Sequence, residues 1–164
     1  MSKINTRSLI SIALVITSIL SACMLWFTRS EWQESLSAFA LSDNVMWYRL
    51  MHLSASWFLI LNYKSSWHNL IIGFGMGLIL IFDMYHYFTI HAIVTVATIV
   101  FTCYSLIINS KDFEQHLMFF LSGVAVLVFG IGYFDSTFHL LLAEIIAMLC
   151  LMTGKLREFY LKKT

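Results

Sequence analysis

The chain has 164 residues, of which 60% are hydrophobic and only 12% charged, with a mean hydropathy of +0.82. Charged residues make up about a quarter of an ordinary soluble domain, so this composition excludes a water-soluble core and predicts an integral membrane protein. A formal charge of +1, with no Lys/Arg-rich tract carrying interleaved aromatics, argues against nucleic acid as a partner.

Six segments reach the roughly 17–25 apolar residues that a spanning helix needs: about 8–28, 46–63, 67–84, 87–108, 116–134 and 136–154. None alternates polar and apolar residues as a barrel strand does, and in hydrocarbon each backbone group has to be paired within its own segment. The expected fold is therefore all-α, a single transmembrane domain built as a compact antiparallel bundle of six helices. With no proline in the chain, the broken helices of many transporters have no obvious seed.

The first segment contains "LSAC", Leu20 to Cys23, which has the form of a bacterial lipoprotein cleavage box. The apolar run continues through "MLWF" at 24–27, which favours an uncleaved helix. Cys23, Cys103 and Cys150 lack C-x-x-C spacing and read as buried, inert thiols. The one substantial connection, 29–45, follows. In the second segment Arg49, His52 and Ser56 share a helical stripe. The third contains Gly73 and Gly77 at the G-x-x-x-G spacing that lets helices approach closely. Asp83 and His86 lie at the junction with the fourth, where His91, Thr95, Thr98, Thr102 and Ser105 follow a 4-3-4-3 rhythm, a polar seam along one helix face. The fifth is thinned by Gly123, Gly130 and Gly132. In the sixth, His139 and Glu144 stand about 140° apart around the axis, on the shoulders of a face of small residues: Ser136, Ala143, Ala147, Cys150 and Gly154. A weak echo relates the third and fourth segments, around Asp83 and His91, to the fifth and sixth, around Asp135 and His139.

Basic residues favour the cytoplasmic side of a membrane. A cytoplasmic N-terminus puts Lys3, Arg7, Lys64, Lys111, Lys155, Arg157, Lys162 and Lys163 inside, leaving only Arg29 and Arg49 outside with Glu31, Glu34, Asp43, Asp83 and Asp135. Both termini are then cytoplasmic, and Trp26, Trp32, Trp47 and Trp67 fall near helix ends. Arg49, His52, His91, His139 and Glu144 share the outer leaflet. An acid in hydrocarbon costs at least about 2.5 kcal/mol on insertion scales, so Glu144 is expected to be protonated, or paired with Arg49 or a histidine such as His139. Structural roles stand beside these readings. Asp83, His86 and Asp135 can serve as turn and cap residues, Thr and Ser stripes bond their own i−4 carbonyls, and His68 and His116 read as interfacial.

"TIHAIVTVATIVFTCYSL" (89–106) and "FHLLLAEIIAML" (138–149) resemble the DRAM-like family of six-helix membrane proteins, which includes autophagy modulators and GPI-anchor remodelling proteins. That resemblance carries over His91 and Glu144 and implies a lipid-linked role. A second resemblance is to intramembrane metal hydrolases related to alkaline ceramidases and adiponectin receptors, to whose zinc sites His52, Ser56, Asp83, His91 and His139 correspond in residue type. Their H-x-x-x-H motif is absent, since Ala143 follows His139 by four residues.

The expected function is a lipid-headgroup site in the extracytoplasmic leaflet of a bacterial inner (cytoplasmic) membrane. In it Arg49 holds a phosphate, His52, Ser56 and Asp83 contribute to binding, and His91, His139 and Glu144 supply acid/base chemistry. The alternatives are a non-enzymatic module (an immunity, assembly or channel subunit with a membrane-protein partner or in a homo-oligomer) and a haem protein with His91 and His139 as axial ligands. Zinc and haem b are the cofactors these readings admit.

Overall fold

In this computed structural model the described residues are 6–28, 36–109, 117, 121, 123–124 and 137–161. Among them every regular element is helical: α1 Thr6–Phe27, a 3-10 helix Leu36–Leu41, α2 Val45–Leu61, α3 His68–Ile81, α4 Phe88–Asn109 and α5 Thr137–Leu161. Most of the expected fifth segment, with Gly130, Gly132 and Asp135, lies outside the described residues. Among the described residues two helices, Thr6–Phe27 and Phe88–Ile108, are long and apolar enough to cross a membrane.

Small residues set how α1 meets α2. Ser8, Ser11, Val15, Ser18, Ala22 and Leu25 are buried at alternating spacings of three and four, a narrow seam that permits close approach. Ser18 donates to the Met51 carbonyl at 3.2 Å, and Asn62 Nδ2 donates to Ser11 Oγ at 3.0 Å. Early α1 thus meets late α2, so the two helices are antiparallel. Asn62 also donates to the Phe58 carbonyl, and Asn69 Nδ2 donates to the Asn62 carbonyl. This polar knot closes the α2–α3 turn.

Gly73 sits where α3 crosses α2. A Cβ there would meet Ile60 Cγ1 at 2.8 Å and the Ser56 carbonyl at 3.0 Å, and Ser56 Oγ donates to the Gly73 carbonyl at 2.8 Å. Gly75 abuts Thr98 of α4, whereas at Gly77 the nearest atom is 3.6 Å away. The helix–helix contact therefore uses Gly73 and Gly75 more than the Gly73/Gly77 pair that spacing singles out. α3 stops at Ile81, shorter than the 67–84 expected, because the next groups are taken by other partners. Asp83 Oδ1 accepts the Tyr85 and His86 N–H groups, each at 3.0 Å, and the Phe82 carbonyl is held by His91.

α5 runs parallel to α4 and continues to Leu161, beyond the expected end near 154. The added turns bury charge. Lys155 Nζ donates to Ser105 Oγ at 2.6 Å and pairs with Glu158 at 2.9 Å, with Lys155 1% and Glu158 4% exposed. Beside an apolar core that includes Leu25, Phe39, Phe58 and Ile72, the described residues bury polar side chains and expose large apolar ones. Ser11, Ser18, Asn62, Asn69 and Ser105 are inside, while Leu20, Trp57, Phe74, Ile93, Val96 and Val100 are exposed.

Candidate functional site

The described part of the connection expected as an outer loop, from Leu36 on, folds inward between α2 and α5. Leu36, Ser37, Ala38 and Phe39 are all buried, Phe39 completely. Burying a phenylalanine that would otherwise face water contributes about 1.5–3 kcal/mol, and this supplies much of the reason the segment is inside. Its polar backbone then needs partners there.

Two of the expected site residues provide them. Glu144 Oε2, on α5, accepts the Leu36 N–H at 2.5 Å. His91, at the start of α4 and 5% exposed, stands between two oxygens: Nδ1 is 2.6 Å from the Phe82 carbonyl and Nε2 is 2.8 Å from Ser37 Oγ. A carbonyl can only accept, which places a proton on Nδ1 and leaves Nε2 of the neutral ring to accept from the Ser37 hydroxyl. His91 and Glu144, from separate helices, thus meet at adjacent residues of one short segment.

The α2 stripe faces the same space, through a neighbour of the arginine that spacing selected. Tyr48 is 2% exposed, and its hydroxyl is buried with no hydrogen-bond partner among the described residues. It lies within electrostatic reach of Glu144 and Asp83. His52, 5% exposed, lies tilted against Tyr48 with ring centroids 4.5 Å apart, directs Nδ1 at the Tyr48 carbonyl at 3.1 Å, and is within electrostatic reach of His91. Arg49 is exposed, and Glu144 meets the Leu36 N–H, not the Arg49 expected as one of its partners. Ser56 lies deeper, engaged with Gly73.

Asp83 is occupied in its turn. Besides the two N–H groups it faces His86 Nδ1 at 3.0 Å, and these contacts, led by the His86 N–H, hold its carboxyl below the ordinary carboxylate range. His139 falls in the first turn of α5, and its side chain lies outside the described residues. The α4 seam does face inward: His91, Thr98, Thr102 and Ser105 are buried, with Thr98 donating to the Val94 carbonyl and Thr102 to the Thr98 carbonyl, each at 2.7 Å.

Ser37 and Tyr48 were not singled out from the sequence. Tyr48 carried a usable signal, since 48, 52 and 56 repeat every four residues on one helix face. Ser37 carried none, because its partner lies 54 residues away.

Among the described residues no three His, Cys, Asp or Glu side chains gather as a metal-binding set, and both ring nitrogens of His91 are engaged by the protein. The chain matches no family model, no curated protein and no solved structure.

Proposed function

We propose that the protein is a multi-pass bundle of six spans in a bacterial inner membrane, both termini cytoplasmic. Support comes from its many exposed apolar side chains and from the placement of basic residues: Arg7, Lys64 and Lys155 lie toward one end of the described bundle, and the 36–41 segment with the 82–87 turn toward the other. Single cysteines introduced into the 36–41 segment and after Leu161 test this by impermeant-reagent labelling. A C-terminal cysteine labelled only from outside would overturn the orientation.

We further propose that the outer-leaflet cluster binds or modifies a lipid headgroup. One observation carries this reading: His91 and Glu144 converge at Ser37 and Leu36, near the Tyr48 hydroxyl, which has no hydrogen-bond partner among the described residues. A hydroxyl held by an imidazole whose other nitrogen is fixed by a carbonyl is the arrangement used to activate oxygen for acid/base chemistry. Exposed Arg49 at the same end would hold the headgroup phosphate, and the 36–41 segment would cover the site. The resemblance of 89–106 and 138–149 to DRAM-like proteins points to the same lipid-linked role. Mass spectrometry of lipids retained by the purified protein tests it, with loss of a specific phospholipid expected in Arg49→Ala and in His91→Ala. An identical lipid complement in folded variants would refute it.

A second reading, the non-enzymatic module, is favoured by one fact: His91 and Glu144 are already hydrogen-bonded within the chain. On that reading the same variants loosen the 36–41 segment and leave the retained lipid unchanged.

A further inference from the structure

Ser37 Oγ donates to His91 Nε2 at 2.8 Å, and the Phe82 carbonyl, 2.6 Å from Nδ1, fixes the other side of the ring. This is the tautomer and arrangement in which an imidazole takes the proton of a nucleophilic serine, with the carbonyl in the place that a carboxylate has in a catalytic triad. Glu144 accepts the N–H of the preceding residue, Leu36, so the backbone that carries the serine is pinned from a second helix. Tyr48 brings a third group. Its phenol is buried, lies within electrostatic reach of Glu144, and has no hydrogen-bond partner among the described residues, while its ring packs against His52. A buried hydroxyl of this kind costs free energy in the resting protein and is a donor ready for an oxygen that arrives with a ligand.

From these groups we infer a serine acyl-transfer site, with Ser37 as nucleophile, His91 as base and then acid, Tyr48 as oxyanion donor, and the acyl ester of a glycerophospholipid as substrate. Ser37 Oγ attacks the ester carbonyl carbon as its proton passes to His91 Nε2, and the carbonyl π pair moves onto the oxygen that Tyr48 receives. Collapse of that oxyanion breaks the bond to the glycerol oxygen, which takes the proton from His91, leaving acyl-Ser37 and a lysophospholipid. Water then attacks the acyl carbon and gives its proton to His91, and Ser37 Oγ leaves with that proton as the fatty acid is released. The donor set selects the bond. Acyl transfer develops its charge on one oxygen, which a single phenol serves, whereas phosphoryl transfer spreads charge over three oxygens and draws on cations. The described side chains gathered here are a phenol, two imidazoles and a carboxyl group, with Arg49 exposed beyond them. The reaction rests on the proposed outer-leaflet lipid site and names the bond broken there.

The test uses the purified full chain in neutral detergent with two probes: a small alkyl fluorophosphonate, located by peptide mass spectrometry, and phosphatidylethanolamine with an isotopically labelled acyl chain, followed by release of fatty acid and lysophospholipid. Ser37 is 9% exposed, which calls for a small covalent probe. The parent is expected to be labelled at Ser37 and to release lysophospholipid, Ser37→Ala to do neither, and His91→Gln to be slower by about a hundredfold to ten-thousandfold. Tyr48→Phe should slow both reactions by about a hundredfold to a thousandfold with no loss of thermal stability, because it removes a buried hydroxyl that has no partner among the described residues; a tyrosine with a purely structural role would leave the rates unchanged. Ser54→Ala, whose hydroxyl bonds the Met51 carbonyl of its own helix, should label at Ser37 as the parent does. An unlabelled Ser37, lysophospholipid release that persists in Ser37→Ala, or unchanged rates in Tyr48→Phe would each overturn the acyl-transfer site while leaving lipid binding intact. A parent that retains no specific phospholipid would instead overturn the reading on which the reaction rests.

Discussion

Glu144→Ala is expected to release the 36–41 segment. In the native protein Glu144 Oε2 accepts the Leu36 N–H at 2.5 Å, and Leu36 is only 8% exposed. Leaving a buried donor without an acceptor costs about 1–3 kcal/mol, and each 1.4 kcal/mol is a factor of ten in an equilibrium. Opening should therefore become roughly fivefold to a hundredfold more frequent. The segment should still be docked most of the time, because Phe39 burial and the Ser37–His91 bond remain. A cysteine at Ala38, which is 4% exposed, reports the opening in a background where Cys23, Cys103 and Cys150 are replaced. Its labelling rate with an impermeant maleimide should be slow in the parent and rise by that factor in Glu144→Ala, with Glu144→Gln, which keeps an acceptor, between the two. A rate within twofold of the parent in folded Glu144→Ala would refute the view that Glu144 holds the segment.

Gly73→Ala should destabilise the bundle by about 1–3 kcal/mol through overpacking, since the new methyl meets the Ser56 backbone, while Gly77→Ala, with its nearest neighbour at 3.6 Å, should be tolerated; thermal unfolding in detergent separates them. Glu158→Gln should cost about 3–5 kcal/mol by weakening a buried ion pair, whereas Lys155→Met/Glu158→Leu should be near neutral, and an equal loss in both would refute a charge origin. The Asp83 turn should depend on acid: its folded carboxyl is lowered by the His86 N–H and the other contacts, so its contribution is present above the ordinary Asp value near 3.9 and is lost as pH falls through the lower folded value. Amide-exchange protection at Tyr85 and His86 measures this, and loss of protection already above pH 5 would contradict it.

Helix positions were legible because helical hydrogen bonds and apolar runs are local: 8–28 became Thr6–Phe27, and 87–108 became Phe88–Asn109. The inward face of α4 was legible for the same reason, its seam being a period of one helix. Errors came where an end depends on a distant partner. Asp83 and His91 take the groups that would extend α3, and Ser105 of α4 receives the lysine that lets α5 run on with a buried charge.

The sequence by itself determined that apolar helices form and that His91 and Glu144 are costly enough to need partners, since burying polar groups has a price that any fold must meet. Only the tertiary structure decided which partners they have. Glu144 reaches Leu36 across 108 residues and His91 reaches Ser37 across 54, and no periodicity within one helix encodes a hydrogen bond to a segment that enters from outside it. Tyr48 is enclosed at the site while Arg49 stays exposed at its edge, for a related reason. Spacing places both near one face, but a guanidinium is far costlier to bury than a phenol, and the packing of α1, α3 and the 36–41 segment around α2 determines which of the two is enclosed.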